Sequence, residues 1–518
     1  MYVPDSVSNT RRSFIKSTSM LAAAPFVGTL GALHTRMAQA AGFSALVGSP
    51  YGPIQPVNDL TTGLPLLKLP SGFSYKSYGW TGDIMSDGQP TPSSHDGMGV
   101  VRTRRVGRST EIVMVRNHER GTSSSPIVSV PTYDGVANVP TSGSPSRPGG
   151  GTSNLVFRDG NWVSSYASLA GTLTNCAGGV TPWGTWLTCE ETISNRMTGL
   201  GGPTGLKHGY VFEVPVDAAQ TTAVPIVGMG RFQHEAVAVD PQTGFVYETH
   251  DSTRVAGLFR YEPTVTTGAL GSLGQGGTLK MAKIRNQING TAPLLAPQLG
   301  DTFELEWVTI DNPDAEPVSV PAPYFPFVTG TTTVAGPFKE GFDKGGAQMS
   351  RGEGIWYWNR SMFIVDTAGG VSAGGTVGGG DGCVWELDLD TQVLTCIFVV
   401  PAGMPSVGNN ADNITVSPKG GIVLFEDGGT HTANGVVFGC RMMGVLPDGN
   451  TYAFGENNLT AAVRADAVAQ GKAAGTGDGR GNEFCGGTFS PDGRVLFVNI
   501  QSPGITFAIS GPWAQGPL

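Results

Sequence analysis

Apolar residues occur along the chain in short runs that end at turn-forming residues. No long amphipathic helix pattern stands out, and glycine (77 residues) and proline (36 residues) are frequent. Three segments each place an apolar strand, a polar turn and a second strand in succession: Ala236–Glu248, Ile414–Glu426 and Thr488–Asn499. Their turns have the form D-P-x-x-G or S-P-x-G, which favours hairpins. The pattern predicts an all-β protein.

Repeated hairpins of this kind are typical of β-propeller blades, whose inner strands face a central channel. The repeats are too irregular for WD40 blades. Polar residues lie just before or after each hairpin, as His234-Glu235 and Glu426-Asp427 do. We expect such positions to converge at one mouth of the channel. The Gly/Pro/Ser-rich stretches 140–152 and 368–381 are predicted to be loop insertions.

Five clusters place carboxylates, amides or a thiol at strand ends beside small residues. They are Asn117–Glu119; Cys176 with Glu190-Glu191; His234-Glu235 with His250-Asp251; Arg351–Gly354; and Asn410–Asn413 with Glu426-Asp427. Oxygen-rich sets suit calcium, whereas a thiolate in the same site selects a softer metal such as iron. Many buried carboxylates also need cations between them, because unpaired buried charge is costly.

Each cluster also has a structural interpretation. Asn117–Glu119 could be a turn, and His234 could only orient Glu235. Cys176 could be an inert buried thiol or half of a disulfide. Arg351 and Glu353 could form a surface ion pair, although their flanking glycines indicate close approach of a ligand. Five such clusters on a propeller pattern favour a functional site.

The first residues have the features of an export signal. Thr10–Lys16 has the twin-arginine form, a weakly hydrophobic region follows from Met20 to Leu33, and Ala38–Ala40 is an A-x-A cleavage site. We therefore expect residues 1–40 to be a twin-arginine signal peptide and residues 41–518 to be a single catalytic propeller domain. The expected location is the periplasm or the exterior, reached through the twin-arginine export machinery.

Composition and charge limit the kinds of molecule that the protein is expected to bind. The formal net charge is -9 and basic runs are absent, so nucleic-acid binding is not expected. The six cysteines form no CxxC pair or zinc-like spacing. Disulfides remain open in an exported protein, with Cys383/Cys396 and Cys440/Cys485 as possible pairs. A monomer is expected, because a closed propeller leaves few exposed strand edges.

The segment Asn175–Glu191 resembles the N-C-A-x-G-x-T-P-W-G-T-x-L-T-C-E-E element of the PhoX-type alkaline phosphatases. The resemblance continues in the family's order over most of the mature chain. It is found at Asn117–Glu119, Arg231–Glu235, Arg351–Glu353, Asp412-Asn413 and Phe497–Gln501. The twin-arginine signal also fits this family.

The resemblance implies a six-bladed propeller with a cluster of two ferric ions and calcium ions in its channel, and hydrolysis of small-molecule phosphomonoesters. The residues that it assigns to catalysis are Arg351, which would bind the substrate phosphate through its guanidinium fork, and Asn117. The metal ligands that it implies are Cys176, Glu191, Glu235, Glu353, Glu119, Asp251, Asp412 and Asn413.

Two departures from the family pattern leave alternatives open. The family commonly has His after Asn-Ile-Gln, where this chain has Gln501-Ser502-Pro503, and the chain is shorter than typical members. Changed loops at the mouth could favour phosphodiesters or phosphotriesters. The other two hypotheses are a calcium-dependent propeller lactonase and a non-catalytic binding propeller stabilised by calcium.

Overall fold

The computed structural model describes residues 42–128, 130–135, 147–194, 206–287, 291–433 and 435–518. The expected signal peptide and Ala41 lie outside the described residues. Among the described helices, none is long and apolar enough to cross a membrane.

The described strands form antiparallel units that follow one another along the chain. Three strands come first: β1 (Ile54–Val57), β2 (Leu67–Pro70) and β3 (Ser74–Tyr78). The first unit contains β4 (His95–Val106), β5 (Ser109–His118), β6 (Gly150–Arg158) and β7 (Asn161–Thr172). The second contains β8 (Asn175–Val180), β9 (Trp186–Glu190) and β10 (Val211–Val214).

The third and fourth units share a sheet through an outer strand. The third contains β11 (His234–Val239), β12 (Val246–His250), β13 (Leu258–Pro263), β14 (Gly277–Ile284) and the outer β15 (Thr302–Thr309). A hairpin of β16 (Val318–Pro321) and β17 (Thr331–Val334) and helix α1 (Gly336–Asp343) follow. The fourth contains β18 (Gly352–Trp358), β19 (Ser361–Asp366), β20 (Cys383–Asp388) and β21 (Val393–Val399), the last paired with β15.

The last two units incorporate strands from the beginning of the chain. The fifth contains β22 (Ala411–Val416), β23 (Ile422–Glu426), β26 (Arg441–Val445) and β27 (Thr451–Asn457), with a separate hairpin of β24 (His431–Ala433) and β25 (Val436–Phe438). Helix α2 (Ala461–Ala469) precedes the sixth unit, which contains β28 (Phe484–Phe489), β29 (Val495–Ile500) and β30 (Ile505–Ser510). β2 pairs with β27, and β3 pairs with β30.

Short 3-10 helices lie in the connections at Ala218–Gln220, Val227–Met229, Ser272–Gln275, Pro293–Leu295 and Trp513–Gln515. The segment 368–381 joins β19 to β20, as the prediction of a loop insertion requires. The other predicted insertion ends earlier than expected, because Gly150 already begins β6 and pairs with Thr172. Residues 140–146 of that segment are outside the described residues.

Each unit begins with the strand nearest the axis. These inner strands are β4, β8, β11, β18, β22 and β28, and each contacts the inner strand of the next unit; β28 contacts β4 and closes the ring. The three hairpins that the sequence predicts are the first two strands of the third, fifth and sixth units. The prediction of an all-β propeller is therefore confirmed. The described residues contain six inner strands, and six blades stay the number that the resemblance implies.

Apolar contacts close the two ends of the described chain on each other between the fifth and sixth units. Tyr51, Phe73, Phe454 and Trp513 meet in edge-on and tilted ring contacts at centroid distances of 4.8–6.4 Å. The Tyr51 hydroxyl also accepts a hydrogen bond of 2.8 Å from the N–H of Leu518. Burial of these large rings stabilises the closure by several kcal/mol, at about 1.5–3 kcal/mol for each large apolar side chain.

Small side chains at the third residue of the inner strands allow the ring to be narrow. Five of the six are glycine or alanine, and all six surround one small cavity on the axis: Gly97, Ala177, Ala236, Gly354, Asn413 and Gly486. A Cβ atom built on Gly97 would lie 2.5 Å from Cα of Ala177. Because that neighbour is backbone, a larger residue would push two inner strands apart.

We predict that Gly97→Ala lowers the free energy of unfolding by about 1–3 kcal/mol, the usual cost of overpacking a filled core. Gly274→Ala is the control, since a Cβ there meets no atom within 4 Å, and its effect should stay within about 0.5 kcal/mol. Urea unfolding of the three proteins measures both effects. Equal stability of the two variants would show that the inner strands can move apart at little cost.

Candidate metal centre and active site

The second residue of every inner strand carries a group that can bind a metal. These six residues, here called the inner ring, are Asp96, Cys176, Glu235, Glu353, Asp412 and Cys485. The pairing of each inner strand with its neighbour shifts register at this point, so a β-bulge recurs in all six units. Bulges re-aim side chains near active sites. All six residues are at most 6% exposed.

A second set of polar residues follows the second strand of each unit. This outer ring consists of Glu119, Glu191, Asp251, Thr367, Asp427 and Gln501. In every unit its backbone N–H donates to the carbonyl of the residue just before the inner strand, at 2.9–3.2 Å. All but the buried Thr367 are half-buried, so the outer ring surrounds the more accessible side of the inner ring.

Ligand atoms of the two rings and of Glu483, the residue before β28, come together in four groups, in each of which the atoms lie within 4.8 Å of one another. The groups are Cys176, Glu191 and Glu235; Glu235, Glu353 and Asp412; Asp412, Asp427 and Glu483; and Asp96, Glu483 and Cys485. Each group shares a residue with the next. The Cys176 Sγ lies 3.7 Å from Oδ2 of Asp96, which links the first group to the last.

Arg351 is the cation of this site. It precedes β18 with a left-handed φ of 60°, and Ser94, Thr174 and Asn410 have the same handedness at the equivalent positions. Its Nη2 lies 2.6 Å from Oε1 of Glu353, and its Nε donates to Oδ1 of Asp251 at 3.2 Å. Its side chain is 31% exposed. Among the described residues, no other Lys or Arg forms an ion pair with a carboxylate of either ring.

The two rings and Glu483 together bring nine carboxyl groups to one end of the channel. Burial raises the pKa of Glu119 to about 7 and that of Asp412 to about 6. Burial, followed by neighbouring carboxylates, raises the pKa values of Asp96, Glu191, Glu235, Glu353 and Glu483 well above the ordinary range. Burying one unpaired charge costs several kcal/mol, and the total stability of a domain is about 5–15 kcal/mol. The carboxyl groups therefore need protons or cations.

The donor atoms fit metal ions. Oδ1 of Asp96 and both carboxylate oxygens of Glu235 are buried, and they accept no hydrogen bond from any described residue. Buried acceptors without partners are rare and costly, so a bound cation explains them. Carboxylate oxygens suit calcium, and the thiols suit a softer transition metal.

Buried residues behind the rings hold the turns of the mouth in place. Glu190, Asp366 and Glu426 each end a second strand, and each carboxylate accepts from a backbone N–H two residues before an inner strand, at 2.9–3.2 Å. Arg441 donates to Glu426, and the ring nitrogen Nδ1 of His208 contacts Glu190 at 2.6 Å. Burial opposes the charged form of His208, but Glu190 and Asp134 raise its pKa to about 9. These ion pairs fix the backbone from which the ring residues project.

Most of the predicted site residues are in the two rings. Cys176, Glu191, Glu235, Glu353 and Asp412 are in the four ligand groups. Glu119 accepts a hydrogen bond of 2.6 Å from Gln501, and Asp251 contacts Arg351. Their roles as metal ligands stay predictions.

Two predicted residues occupy other positions. Asn117 is fully buried: its Nδ2 donates to the carbonyls of Cys176 and Ala177, and its Oδ1 accepts from Trp186 and Thr188. These bonds hold β8 in place and give no support to the predicted catalytic role. Asn413 is the third residue of β22, and its Oδ1 accepts from the N–H of Gly486 at 3.0 Å.

Asp427, Glu483 and Gln501 flank the predicted hairpins but were not among the assigned ligands, and Asp96 and Cys485 were not identified as site residues. The signal that finds them is positional. Once the inner strands are aligned, a residue with a polar or thiol side chain recurs in every unit at three places: just before the inner strand, at its second position and after the second strand. The six cysteines are free and buried in the structure, so neither possible disulfide is formed there.

Comparison with known proteins agrees with this arrangement. The sequence model of the family described as "Alkaline phosphatase PhoX" matches residues 49–165 and 146–504. A propeller whose channel end gathers candidate metal ligands thus defines the class, and the chain belongs to the PhoX alkaline phosphatase family. No curated protein matches it.

One solved structure shows the same fold. PhoX of Pseudomonas fluorescens, in complex with vanadate, a transition state analogue, has a TM-score of 0.57 and 16% sequence identity; the match covers 88% of this chain and 98% of that chain. A gluconolactonase of Xanthomonas campestris has a TM-score of 0.30 and 12% identity, covering 81% and 96%. The PQQ domain of a pyranose dehydrogenase from Coprinopsis cinerea has a TM-score of 0.29 and 11% identity, covering 90% and 100%. The last two scores are too low to support an argument.

We predict that the metal-free protein loses stability as the pH rises from about 6.5 to about 8. A carboxyl group whose pKa is raised on folding holds its proton more tightly in the folded state, and this stabilisation disappears as the pH passes through the folded pKa. Glu119, with a pKa of about 7, titrates in this window. Histidines of the unfolded chain titrate near pH 6.5, so the buried neutral histidines oppose the trend at the lower end of the window. His208, whose pKa is raised to about 9, adds to the trend throughout it.

Calorimetry of the chelated protein at several pH values measures the effect. Glu119→Gln should make the decrease of Tm with pH shallower, and added calcium should raise Tm most at the upper end of the window. A Tm that is constant over this range in the metal-free protein would contradict the expected like-charge repulsion.

Proposed function

We propose that this protein is an exported, metal-dependent alkaline phosphatase that hydrolyses small-molecule phosphomonoesters and releases inorganic phosphate. The observation that carries the proposal is the half-buried Arg351 beside a ring of buried carboxylates and thiols. The carboxylates and thiols bind cations, and the guanidinium of Arg351 binds an anion. Such a site suits an anionic substrate in a protein whose net charge is negative, and it would serve phosphate scavenging.

We further propose that the resident metals are calcium and iron, with the iron in the ferric state as two ions. Calcium would be held by the carboxylates of Glu353, Asp412 and Asp427, and iron by the side of the ring that contains Cys176, Glu191 and Glu235. When bound, these cations neutralise phosphate charge and act as Lewis acids. The proposal is supported by the donor types and by the acceptors without partners in the inner ring.

Arg351 would orient the phosphate group. Glu353 is the main cause that raises the pKa of Arg351, so its guanidinium stays charged at every relevant pH. Asp251 and Glu353 hold the guanidinium from two sides, which lowers the entropy lost when it binds substrate. A guanidinium in this position stabilises the equatorial oxygens as charge develops on them.

The expected location and assembly complete the proposal. The twin-arginine form of residues 10–16 and the A-x-A site before Ala41 support export to the periplasm or the exterior. The closed ring of inner strands is compatible with a monomer.

We predict that Arg351→Ala lowers kcat/KM for p-nitrophenyl phosphate about 10- to 100-fold, the usual loss for a hydrogen bond to a charged group, and that Arg351→Lys recovers part of it. Metal content should not change. Arg285→Ala is the control, because Arg285 pairs with Glu304 and Glu306 on an exposed outer strand. Full turnover by Arg351→Ala would contradict the proposed contact between Arg351 and the substrate phosphate.

We also predict that chelation of calcium abolishes turnover and that added calcium restores it. Elemental analysis of the active protein should find both calcium and iron. Calcium and iron without monoester turnover in a folded sample would direct the search to phosphodiesters and phosphotriesters. Calcium without iron would contradict the iron assignment.

Export through the twin-arginine route has its own test. Replacing Arg11 and Arg12 by Lys should retain the unprocessed chain in the cytoplasm, whereas Arg36→Lys, in the same segment, should be exported normally. Fractionation and N-terminal sequencing measure the outcome, with Ala41 expected as the first residue. Normal processing of the Lys-Lys variant would argue for another route.

A further inference from the structure

The inner ring contains two thiols, although the sequence pointed to only one as a ligand. Cys176 and Cys485 are the second residues of β8 and β28. The inner strand β4 lies between these two strands and carries Asp96 at the same position. The thiols therefore occupy equivalent places on the two sides of one carboxylate.

The surroundings of Cys485 are those of a ligand group. Its Sγ lies within 4.8 Å of the ligand atoms of Asp96 and Glu483. Asp96 is fully buried, and its Oδ1 accepts no hydrogen bond from any described residue. Its Oδ2 lies 3.7 Å from Sγ of Cys176 and 3.4 Å from Nε2 of Gln501. One carboxylate thus reaches both thiols and keeps an acceptor free.

The alternative interpretation is that Cys485 is an inert buried thiol. Sγ of Cys485 lies 3.0 Å from the carbonyl of His95, to which a protonated thiol donates. Cys396 makes the same kind of contact with the carbonyl of Phe398 at 3.4 Å, but it packs in an apolar cluster. Two neighbouring carboxylates do not stabilise Cys485 as an inert apolar thiol. A thiolate and carboxylates together do form a site for a transition metal.

We propose that Cys485 is a second thiolate ligand of the metal centre, and that Asp96 bridges the metal position of Cys485 and Glu483 to that of Cys176. The occupant is a first-row transition metal, because calcium takes oxygen ligands. Binding releases the thiol proton to solvent, and no change of oxidation state is required. The inference rests on the proposed function, since it adds a ligand to the metal centre of that site.

The test uses holoprotein purified from cells supplied with iron and calcium. Elemental analysis and X-ray absorption at the iron edge are compared for the wild type, Cys485→Ser, Cys176→Ser and the double variant. Cys396→Ser is the matched control, a buried thiol with a carbonyl partner outside the channel. We expect each single ring variant to lose about one transition-metal ion per chain or one sulfur neighbour, and the control to lose neither.

Cys176→Ser gives the decisive spectrum. Iron that still has a sulfur neighbour in this variant, and that loses it in the double variant, requires Cys485 as a ligand. Cys485→Ser with unchanged metal content and unchanged sulfur neighbours would overturn the inference, as would a wild type without a transition metal. If Cys485→Ser does not fold, the wild-type and Cys176→Ser spectra still decide the question.

Turnover of p-nitrophenyl phosphate, measured in parallel, separates this inference from the proposed function. Calcium-dependent turnover with only Cys176 bound to metal would overturn the second thiolate and leave the phosphatase intact. Two sulfur neighbours at the metal without turnover of any phosphoester would support Cys485 as a ligand and contradict the proposed phosphatase function.

Discussion

Uncompensated negative charge at the end of the channel is the constraint on which the structure depends. Nine carboxyl groups meet one guanidinium there, and most of the nine are buried. Several kcal/mol for each unpaired charge would exceed the stability of the whole domain. The fold can hold this arrangement only when cations or protons occupy it. The same repulsion makes the site a strong one for multivalent metal ions, because every ligand is already held in place.

A backbone geometry repeated in every unit holds the like-charged side chains together. A bulge near the start of each inner strand and a hydrogen bond just outside it recur in all six units, so one backbone geometry produces both rings. Small residues at the third position bring the strands close enough for neighbouring ligand atoms to share an ion. Anchors such as Glu190 with His208, and Glu426 with Arg441, resist the outward movement that repulsion would cause.

The departures from repetition determine the chemistry. Thiols replace carboxylates at two inner-ring positions, and Thr367 and Gln501 replace them in the outer ring. Arg351 stands where other units have Ser, Thr, Asn, Gln or Glu, and it faces the more accessible side. A cation at one point of an otherwise acidic mouth defines where an anionic group can bind. Under the proposed function, single side chains on a common backbone encode the metal positions and the orientation of the substrate.

The sequence by itself determined the class of fold, three of the hairpins and the family, because strand–turn–strand patterns and the segment Asn175–Glu191 are local. It also identified Glu235, Glu353 and Asp412, which stand next to recognisable motifs. It could not identify Asp96 or Cys485, since residues near 95 and 485 meet only when the last unit closes on the first, 390 positions apart. Nor could it show that the side-chain amide of Asn117 binds the backbone of β8 and is fully hydrogen-bonded. Strand register and ring closure decide which side chains face the channel, and both arise from tertiary packing.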